Sequence, residues 1–123
     1  MNSYGKEVVL DLHNCSIEKF NKDGLQTYFD DLCDLIDMEQ VQVHWWDIDD
    51  LPEEEKYTED HLIGISAVQF IKTSDIVIHT LEVMKRVYLN IFSCKDFDPE
   101  IVRDFSKEYF NGDVVQYVVL DRI

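Results

Sequence analysis

The sequence predicts an α+β fold, a two-layer sandwich with two main helices packed on one face of a mostly antiparallel sheet. Two segments carry apolar residues at the three-and-four spacing of an amphipathic helix. Several shorter segments are rich in β-branched and aromatic residues. Their order is strand, helix, three or four strands, helix, strand, and two layers would bury both apolar surfaces. With 123 residues and 46% hydrophobic content, residues 1–123 are expected to form one domain.

The first strand and the first helix are predicted from the first third of the chain. Residues 7–13 alternate as a strand does, with Val9 and Asp11 on one face. Ser16 is the candidate cap of the helix that follows. Residues 41–48 are β-rich and aromatic, so they are expected to form the second strand. The apolar side of the helix is predicted to consist of Leu25, Tyr28, Phe29, Leu32, Leu35 and Ile36.

An acidic segment follows the second strand. Residues 47–60 hold eight acidic residues and one lysine, with Pro52 near the middle, and show no apolar periodicity. We therefore predict an exposed loop. The whole chain has a net charge of -15. Such a charge disfavours binding to nucleic-acid phosphates or to an anionic membrane, and it favours a small cationic ligand.

The middle of the chain is predicted to form three further strands. Residues 63–71 and 76–79 are β-rich, and the four residues 72–75 between them leave room only for a tight connection. Residues 87–92 are expected to continue the sheet.

A second helix and a last strand are predicted at the end. Asp98, Pro99 and Glu100 provide a cap, a first-turn proline and an acid that complements the helix dipole. Gly112 stands where a helix-terminating glycine is expected, and residues 114–120 read as a strand. The apolar side of the helix is predicted to consist of Ile101, Val102, Phe105 and Phe110.

The cysteines indicate the compartment. Cys15, Cys33 and Cys94 are odd in number and irregularly spaced, so they fit neither a disulfide framework nor a paired-cysteine metal site. We expect a reducing environment, with at most one reactive cysteine and the other two buried. No signal-peptide pattern begins the sequence, so a cytoplasmic location is expected. The four histidines lie on separate predicted elements, and no metal site is predicted.

Side chains that could carry chemistry are concentrated between positions 64 and 94. By residue type alone, Ser74 is a turn residue, whereas His79 and Cys94 are core residues. Their arrangement is more specific. The run TSDIVIHT at residues 73–80 is followed by NIFSC, with thirteen residues between Thr80 and Cys94.

These two runs resemble the small prokaryotic S-adenosylmethionine decarboxylases, whose signature is an ESHxSIHTWPE-type segment followed by FTC. DLHNC at residues 11–15 is similar to the family's DLYGC, and GIS at residues 64–66 is similar to its GVS. His44, Trp45 and Trp46 stand where the family has HxF. The resemblance spans nearly the whole chain apart from residues 47–61, which would be an insertion.

The resemblance implies a self-cleaving enzyme that makes its own pyruvoyl group. Ser74 would attack the preceding carbonyl, and elimination would cut the chain between Thr73 and Ser74. Ser66 would stabilise the oxyanion, and His79 would take the proton that drives elimination. The pyruvoyl group would form a Schiff base with the substrate amine, and Cys94 would return a proton after decarboxylation.

The resemblance also implies a substrate site. Trp46 would stack on adenine or is an ordinary sheet aromatic, and Asp11 would bind substrate or is an exposed strand residue. Three departures affect this site more than the processing residues. Thr73 replaces a glutamate, Asp75 replaces a histidine, and Leu81-Glu82-Val83 replaces WPE, so that Glu82 would contact the ribose hydroxyls from one position earlier.

The predicted function is therefore decarboxylation of S-adenosylmethionine in polyamine and spermidine biosynthesis. One alternative is the same chemistry on arginine or ornithine, because the substrate residues depart most from the family pattern. Another is an uncleaved homologue that acts as a binding or regulatory subunit. The family also implies a homodimer of cleaved protomers.

Overall fold

The computed structural model describes residues 3–123, in which two α-helices lie on one face of a six-stranded sheet. The strand order is β2-β3-β4-β5-β1-β6, and all five neighbouring pairs are antiparallel. This confirms the predicted α+β sandwich. The elements are β1 (Gly5–His13), α1 (Lys22–Leu35), β2 (Gln40–Asp47), β3 (Gly64–Ile71), β4 (Ser74–Leu81), β5 (Arg86–Ser93), α2 (Pro99–Phe110) and β6 (Asp113–Arg122).

The core lies between the helices and one face of the sheet. Alternate residues of the central strands are buried there, as Val8, Leu10 and Leu12 of β1 illustrate. Each large side chain buried in this layer contributes about 1.5–3 kcal/mol of transfer free energy. The helices are joined by a buried hydrogen bond of 2.7 Å between Tyr28 Oη and Ser106 Oγ, which satisfies both hydroxyl groups.

The other face of the sheet, which we call the open face, is covered by no α-helix among residues 3–123. Its central row, which we call the valine row, crosses five strands. It consists of Val68, Val77, Asn90, Val9 and Val118. All five are only partly buried. An uncovered apolar sheet face of this kind is typical of an interaction surface.

The predicted start of the first helix was wrong. Asn21 caps α1, and its side chain accepts a hydrogen bond from the Gly24 amide at 2.7 Å. Ser16 instead donates its own amide to the Phe110 carbonyl, which fixes it against the end of α2. Leu35 was also wrongly assigned to the core, because it ends the helix on the exposed side and is 51% exposed.

The end of the second helix also differs from the prediction. Asn111 takes the left-handed conformation that ends α2, at φ 49°, and Gly112 follows it. Gly112 is required for close packing, since a Cβ atom there would lie 2.6 Å from Cys15 Sγ. At the start of α2, Asp98 caps the helix as predicted, accepting a hydrogen bond from the Glu100 amide at 2.9 Å.

The acidic segment is exposed, as predicted, and forms three short 3-10 turns at Ile48–Asp50, Glu53–Glu55 and Asp60–Leu62. Ile48 is buried and fixes the start of the segment to the body of the protein. Lys22 of α1 forms an ion pair with Asp50 at 2.5 Å. These contacts hold the segment beside the end of β2.

Candidate active site

A row of polar and aromatic side chains crosses the open face. Strand pairing places Trp46 beside Ser66, Ser66 beside His79, His79 beside Tyr88, and Tyr88 beside Asp11. Ser66 Oγ lies 2.6 Å from Nδ1 of His79. His79 is exposed, so its assignment to the core from residue type alone was wrong. A serine and a histidine in such contact can hold an oxyanion and exchange a proton.

A pocket of about 600 Å³ opens next to this pair, and we call the pair with its pocket the dyad end. Ser66, His79 and Trp46 line it, together with Tyr88 from β5. The acidic segment supplies Tyr57 to the same wall, and the two residues after the segment supply His61 and Leu62. A wall of aromatic and aliphatic side chains around a few polar groups is typical of a small-molecule site.

Glu82 lies just beyond the dyad end. It follows β4 in the connection to β5, and its neighbour Leu81 lines the pocket. Burial and the carboxylates of Asp49 and Asp47 raise the pKa of Glu82. Glu82 therefore belongs to an acidic group formed with the start of the acidic segment.

A second group of side chains lies where β3 turns into β4, and we call Thr73, Ser74, Asp75 and Cys94 the hairpin end. The connection has two residues, Lys72 and Thr73, so Ser74 begins β4 instead of lying within a four-residue turn. Ser74 has φ 155°, a conformation that only glycine adopts readily, and holding it there costs about 1–3 kcal/mol.

Hydrogen bonds at the hairpin end centre on the peptide bond before Ser74. The Cys94 amide donates to the Thr73 carbonyl oxygen at 3.2 Å. The Ser74 hydroxyl donates to Asp75 Oδ2 at 3.4 Å. Thr73 Oγ1 lies 2.7 Å from Ser93 Oγ, which fixes the turn against β5. The carbonyl is thus polarised, and the adjacent hydroxyl has a carboxylate beside it.

The three cysteines divide as the sequence predicted, with two buried and one exposed. Burial raises the pKa of Cys15 to about 11 and that of Cys33 to about 12, so both are inert thiols at neutral pH. Cys94 is exposed, contrary to its assignment to the core from residue type alone. The Cys94 side chain lies near the Tyr4 hydroxyl and raises the pKa of Tyr4.

The sequence-predicted residues therefore fall into two groups. Ser66, His79, Trp46 and Asp11 share the row at the dyad end, and Thr73, Ser74 and Cys94 lie together at the hairpin end. Ser74 and His79 are five residues apart on β4. At a rise of about 3.3 Å per residue, roughly 16 Å separates their Cα atoms.

Three residues at these ends were missed from the sequence. Tyr88 could have been found, because pairing β4 with β5 as a hairpin sets it opposite His79. Asp75 was noted only as a departure from the family pattern. Tyr57 gave no signal, because nothing in the acidic segment indicates which side chains turn back toward the sheet.

Two features are absent from residues 3–123, the part of the chain that the structure describes. That part of the chain contains no group of three or more His, Cys, Asp or Glu side chains able to hold a metal ion. Within the same residues, no helix is long and apolar enough to cross a membrane.

Comparison with known proteins shows the family and the fold of the chain. The chain matches the family model described as S-adenosylmethionine decarboxylase over residues 6–123. It is similar to the crystal structure of the adenosylmethionine decarboxylase from Aquifex aeolicus VF5, with a TM-score of 0.77 and 15% sequence identity. That comparison covers 99% of this chain and 92% of the other, and at this identity it shows the fold. No curated protein matches the sequence.

Proposed function

The chain belongs to the S-adenosylmethionine decarboxylase family, and from that premise we propose that it is a pyruvoyl-dependent decarboxylase of S-adenosylmethionine, acting in polyamine biosynthesis. It cuts itself between Thr73 and Ser74. The observation that carries this proposal is the strained Ser74, at φ 155°, whose preceding carbonyl accepts a hydrogen bond from the Cys94 amide.

The hairpin end suits self-cleavage for two physical reasons. Attack of the Ser74 hydroxyl on the Thr73 carbonyl converts the strained peptide bond into an ester, which releases the strain. The Cys94 N–H already points at the oxygen on which negative charge develops, so no reorganisation is needed when that charge forms. A pyruvoyl group fits position 74 because the serine from which it derives is present. Once formed, that group supplies an electron sink for decarboxylation of a substrate amine.

The dyad end suits the steps that follow ester formation. The Ser66 hydroxyl, held by His79 at 2.6 Å, can donate to an oxyanion, and the His79 imidazole can take the proton from Ser74 Cα that drives elimination. Within one chain, roughly 16 Å along β4 prevents this. We therefore propose that a second copy of the chain brings its dyad end to the hairpin end of the first.

The open face suits a symmetric dimer. Asp75 and His79 lie two residues before and two residues after Val77, all on the open face of β4. A two-fold axis beside Val77, perpendicular to the strands, lays two open faces together with their β4 strands antiparallel. Packed sheets lie about 10 Å apart, so His79 of each copy then faces the Ser74–Asp75 segment of the other. The valine row forms the centre of this interface.

The pocket at the dyad end suits an adenosyl substrate with a positive charge. Trp46, Tyr57 and Tyr88 present aromatic surface on which adenine stacks and over which a sulfonium is attracted. Asp11, beside Tyr88 on the same row, and the net charge of -15 favour a cation as well. Arginine and ornithine share the positive charge but lack the adenine. In the proposed dimer, Cys94 of the second copy lies near this pocket and returns the proton to the substrate carbon.

Mass spectrometry of the purified protein tests self-cleavage. We expect two fragments, residues 1–73 and 74–123, with a blocked start at position 74. Ser74→Ala is expected to leave one folded chain, whereas the matched control Ser16→Ala is expected to cleave like the wild type. A wild-type chain that stays intact would identify an uncleaved homologue and contradict the proposal.

Release of labelled carbon dioxide tests the substrate. We expect release from carboxyl-labelled S-adenosylmethionine, with arginine and ornithine as the competing substrates. If the cleaved protein releases carbon dioxide only from arginine or ornithine, the pyruvoyl chemistry stands and the assigned substrate is wrong.

A further inference from the structure

We propose that Asp75 is the catalytic base that accepts the hydroxyl proton of Ser74 when that hydroxyl attacks the Thr73 carbonyl. This inference rests on the proposed self-cleavage and adds a residue to it. None of the processing residues implied by the family resemblance has this task, because Ser66 stabilises charge and His79 acts on the later elimination.

The contact between Asp75 and Ser74 is a consequence of the backbone strain. Neighbouring residues of a regular strand point to opposite faces, so their side chains do not meet. At φ 155° the Ser74 side chain departs from this rule, and its hydroxyl reaches Asp75 Oδ2 at 3.4 Å. Within residues 3–123, the Ser74 hydroxyl forms its side-chain hydrogen bond with Asp75. The contact can shorten as the hydroxyl moves toward the carbonyl.

The surroundings of Asp75 favour a base. Phe70 of β3 and Phe92 of β5 stand opposite it in the two neighbouring strands. Glu7 of β1 pairs with Phe92, and two charged groups lie on that side of Asp75: the Glu7 carboxylate and the Arg122 guanidinium, which lies over the Phe92 ring. Burial and the Glu7 carboxylate raise the pKa of Asp75, and a carboxylate with a raised pKa takes up a proton more readily near neutral pH.

Glu7 is itself held in place by two partners. Asn90 donates to Glu7 Oε2 at 2.5 Å, and Arg122 forms an ion pair with Glu7 Oε1. These contacts fix the Glu7 carboxylate beside Phe92. Glu7 therefore has a defined position relative to Asp75.

The proposed step balances without an added reactant. The Ser74 hydroxyl proton passes to the Asp75 carboxylate as the bond from Ser74 Oγ to the Thr73 carbonyl carbon forms. The charge that develops on the Thr73 oxygen is met by the Cys94 N–H. The bond from the Thr73 carbon to the Ser74 nitrogen then breaks, and Asp75 returns its proton to that nitrogen. The products are an ester and a free amine.

His79 does not replace Asp75 in this step. In one chain it is roughly 16 Å away along the strand. In the proposed dimer, His79 of the second copy approaches from the facing sheet and acts at Ser74 Cα after the ester has formed. Asp75 already touches the hydroxyl before any partner arrives, so the two residues serve consecutive steps.

The test follows the cleavage rate of freshly made precursor by mass spectrometry. Asp75→Asn keeps a hydrogen-bond acceptor but cannot take the proton, so we expect cleavage to slow by about 100-fold. The amide should persist in this variant, with no accumulation of a hydroxylamine-sensitive ester. Asp75→His, which restores a base, should recover part of the rate. The matched surface control Asp104→Asn should cleave like the wild type.

The pH profile separates proton transfer from a merely structural role. In the wild type the rate should fall as the pH drops through the Asp75 pKa, which lies above its ordinary value, because the protonated acid cannot accept a second proton. Glu7→Gln removes one cause of the raised pKa and should move this decline to lower pH. Asp75→Asn should remove the decline.

The outcomes distinguish this inference from the proposed function. If the wild type cleaves and Asp75→Asn cleaves at the same rate, the role of Asp75 is wrong and the proposed function stands. Accumulation of a hydroxylamine-sensitive ester in Asp75→Asn would place Asp75 in the elimination step and overturn the inference as well. A wild-type precursor that never cleaves would overturn the proposed function itself.

Discussion

The two ends of β4 carry different kinds of chemistry on one strand. The hairpin end holds a strained peptide bond, with φ 155° at Ser74 and a carbonyl polarised by the Cys94 amide. The dyad end holds Ser66 and His79 in contact at 2.6 Å, beside a pocket of about 600 Å³. In the proposed function, one end presents the bond to be cut, and the other presents the side chains that complete the reaction and the space for a substrate.

The separation of the two ends is the basis for our proposal that two chains form each complete site. Asp75 of the hairpin end and His79 of the dyad end each lie two residues from Val77, at the centre of an uncovered apolar face. In the proposed dimer, a two-fold axis at that point brings the hairpin end of each chain to the dyad end of the other, which gives two complete sites. In the proposed enzyme, the open face therefore serves both as an interface and as the means of assembling the site.

The largest expected effect is on self-cleavage, when one variant chain keeps only a working hairpin end and the other keeps only a working dyad end. Ser74→Ala and His79→Ala should each abolish cleavage when expressed alone. Coexpressed, they should form mixed dimers in which His79 of one chain acts on Ser74 of the other. With random pairing, about a quarter of all chains should then be cleaved, and only chains bearing His79→Ala. Mass spectrometry distinguishes the two chains.

In the control, Ser74→Ala is coexpressed with a chain that carries both Ser74→Ala and His79→Ala. No cleavage is expected in this mixture, because neither chain has Ser74. An uncleaved mixture of the two single variants would show that the ends do not act across the dimer.

The interface itself is the next test. Val77→Arg places a charge at the centre of the valine row, and burying an unpaired charge is costly. We expect the dimer to weaken by at least about 100-fold, with cleavage slowed in parallel. Val83→Arg, in the exposed connection after β4, is the matched control. Sedimentation measures assembly, and thermal melting checks that each variant folds. A Val77→Arg protein that stays dimeric would place the interface elsewhere.

Cys94 separates two functions within the hairpin end. Its backbone N–H contacts the Thr73 carbonyl, whereas its thiol is assigned to return a proton to the substrate. Cys94→Ala keeps the N–H, so self-cleavage should continue while decarboxylation falls by about 100-fold. Fragment analysis and carbon dioxide release measure the two functions separately. Equal losses in both would mean that the thiol takes part in cleavage.

The smallest expected effect concerns the pocket wall. Tyr57→Ala removes an aromatic surface that the acidic segment brings to the dyad end. We expect KM for S-adenosylmethionine to rise about tenfold, with self-cleavage unchanged, because the hairpin end is untouched. Glu54→Ala, in the same segment and outside the pocket wall, is the control. An unchanged KM would show that the segment does not contact substrate.

Much of the fold could be predicted because local patterns agree with the tertiary structure. The spacing of Leu25, Tyr28 and Leu32 predicted a buried helix face, and Asp98 with Pro99 predicted the start of α2. The errors lie at element ends. Ser16 and Asn21 are both good helix caps, and the choice between them depended on a contact with the distant end of α2.

The residues of the site could be predicted better than their arrangement. The runs around Ser74 and Cys94 indicated the family, and the match over residues 6–123 confirms it. The family resemblance assigned Ser74 and His79 to one reaction without specifying how they lie relative to each other. A strand rises about 3.3 Å per residue, so five residues of β4 place them at opposite ends of one face.

The sequence by itself determined the fold class, the burial of two cysteines and the family, because each depends on residue type and spacing along the chain. The tertiary structure decided three things that depend on contacts between distant segments or on backbone angles. It separated the hairpin end from the dyad end, it brought Tyr57 to the pocket wall, and it set Ser74 at φ 155° with its hydroxyl against Asp75. A pattern along one chain does not specify a strained angle or an uncovered face, because both arise only when the strands pair.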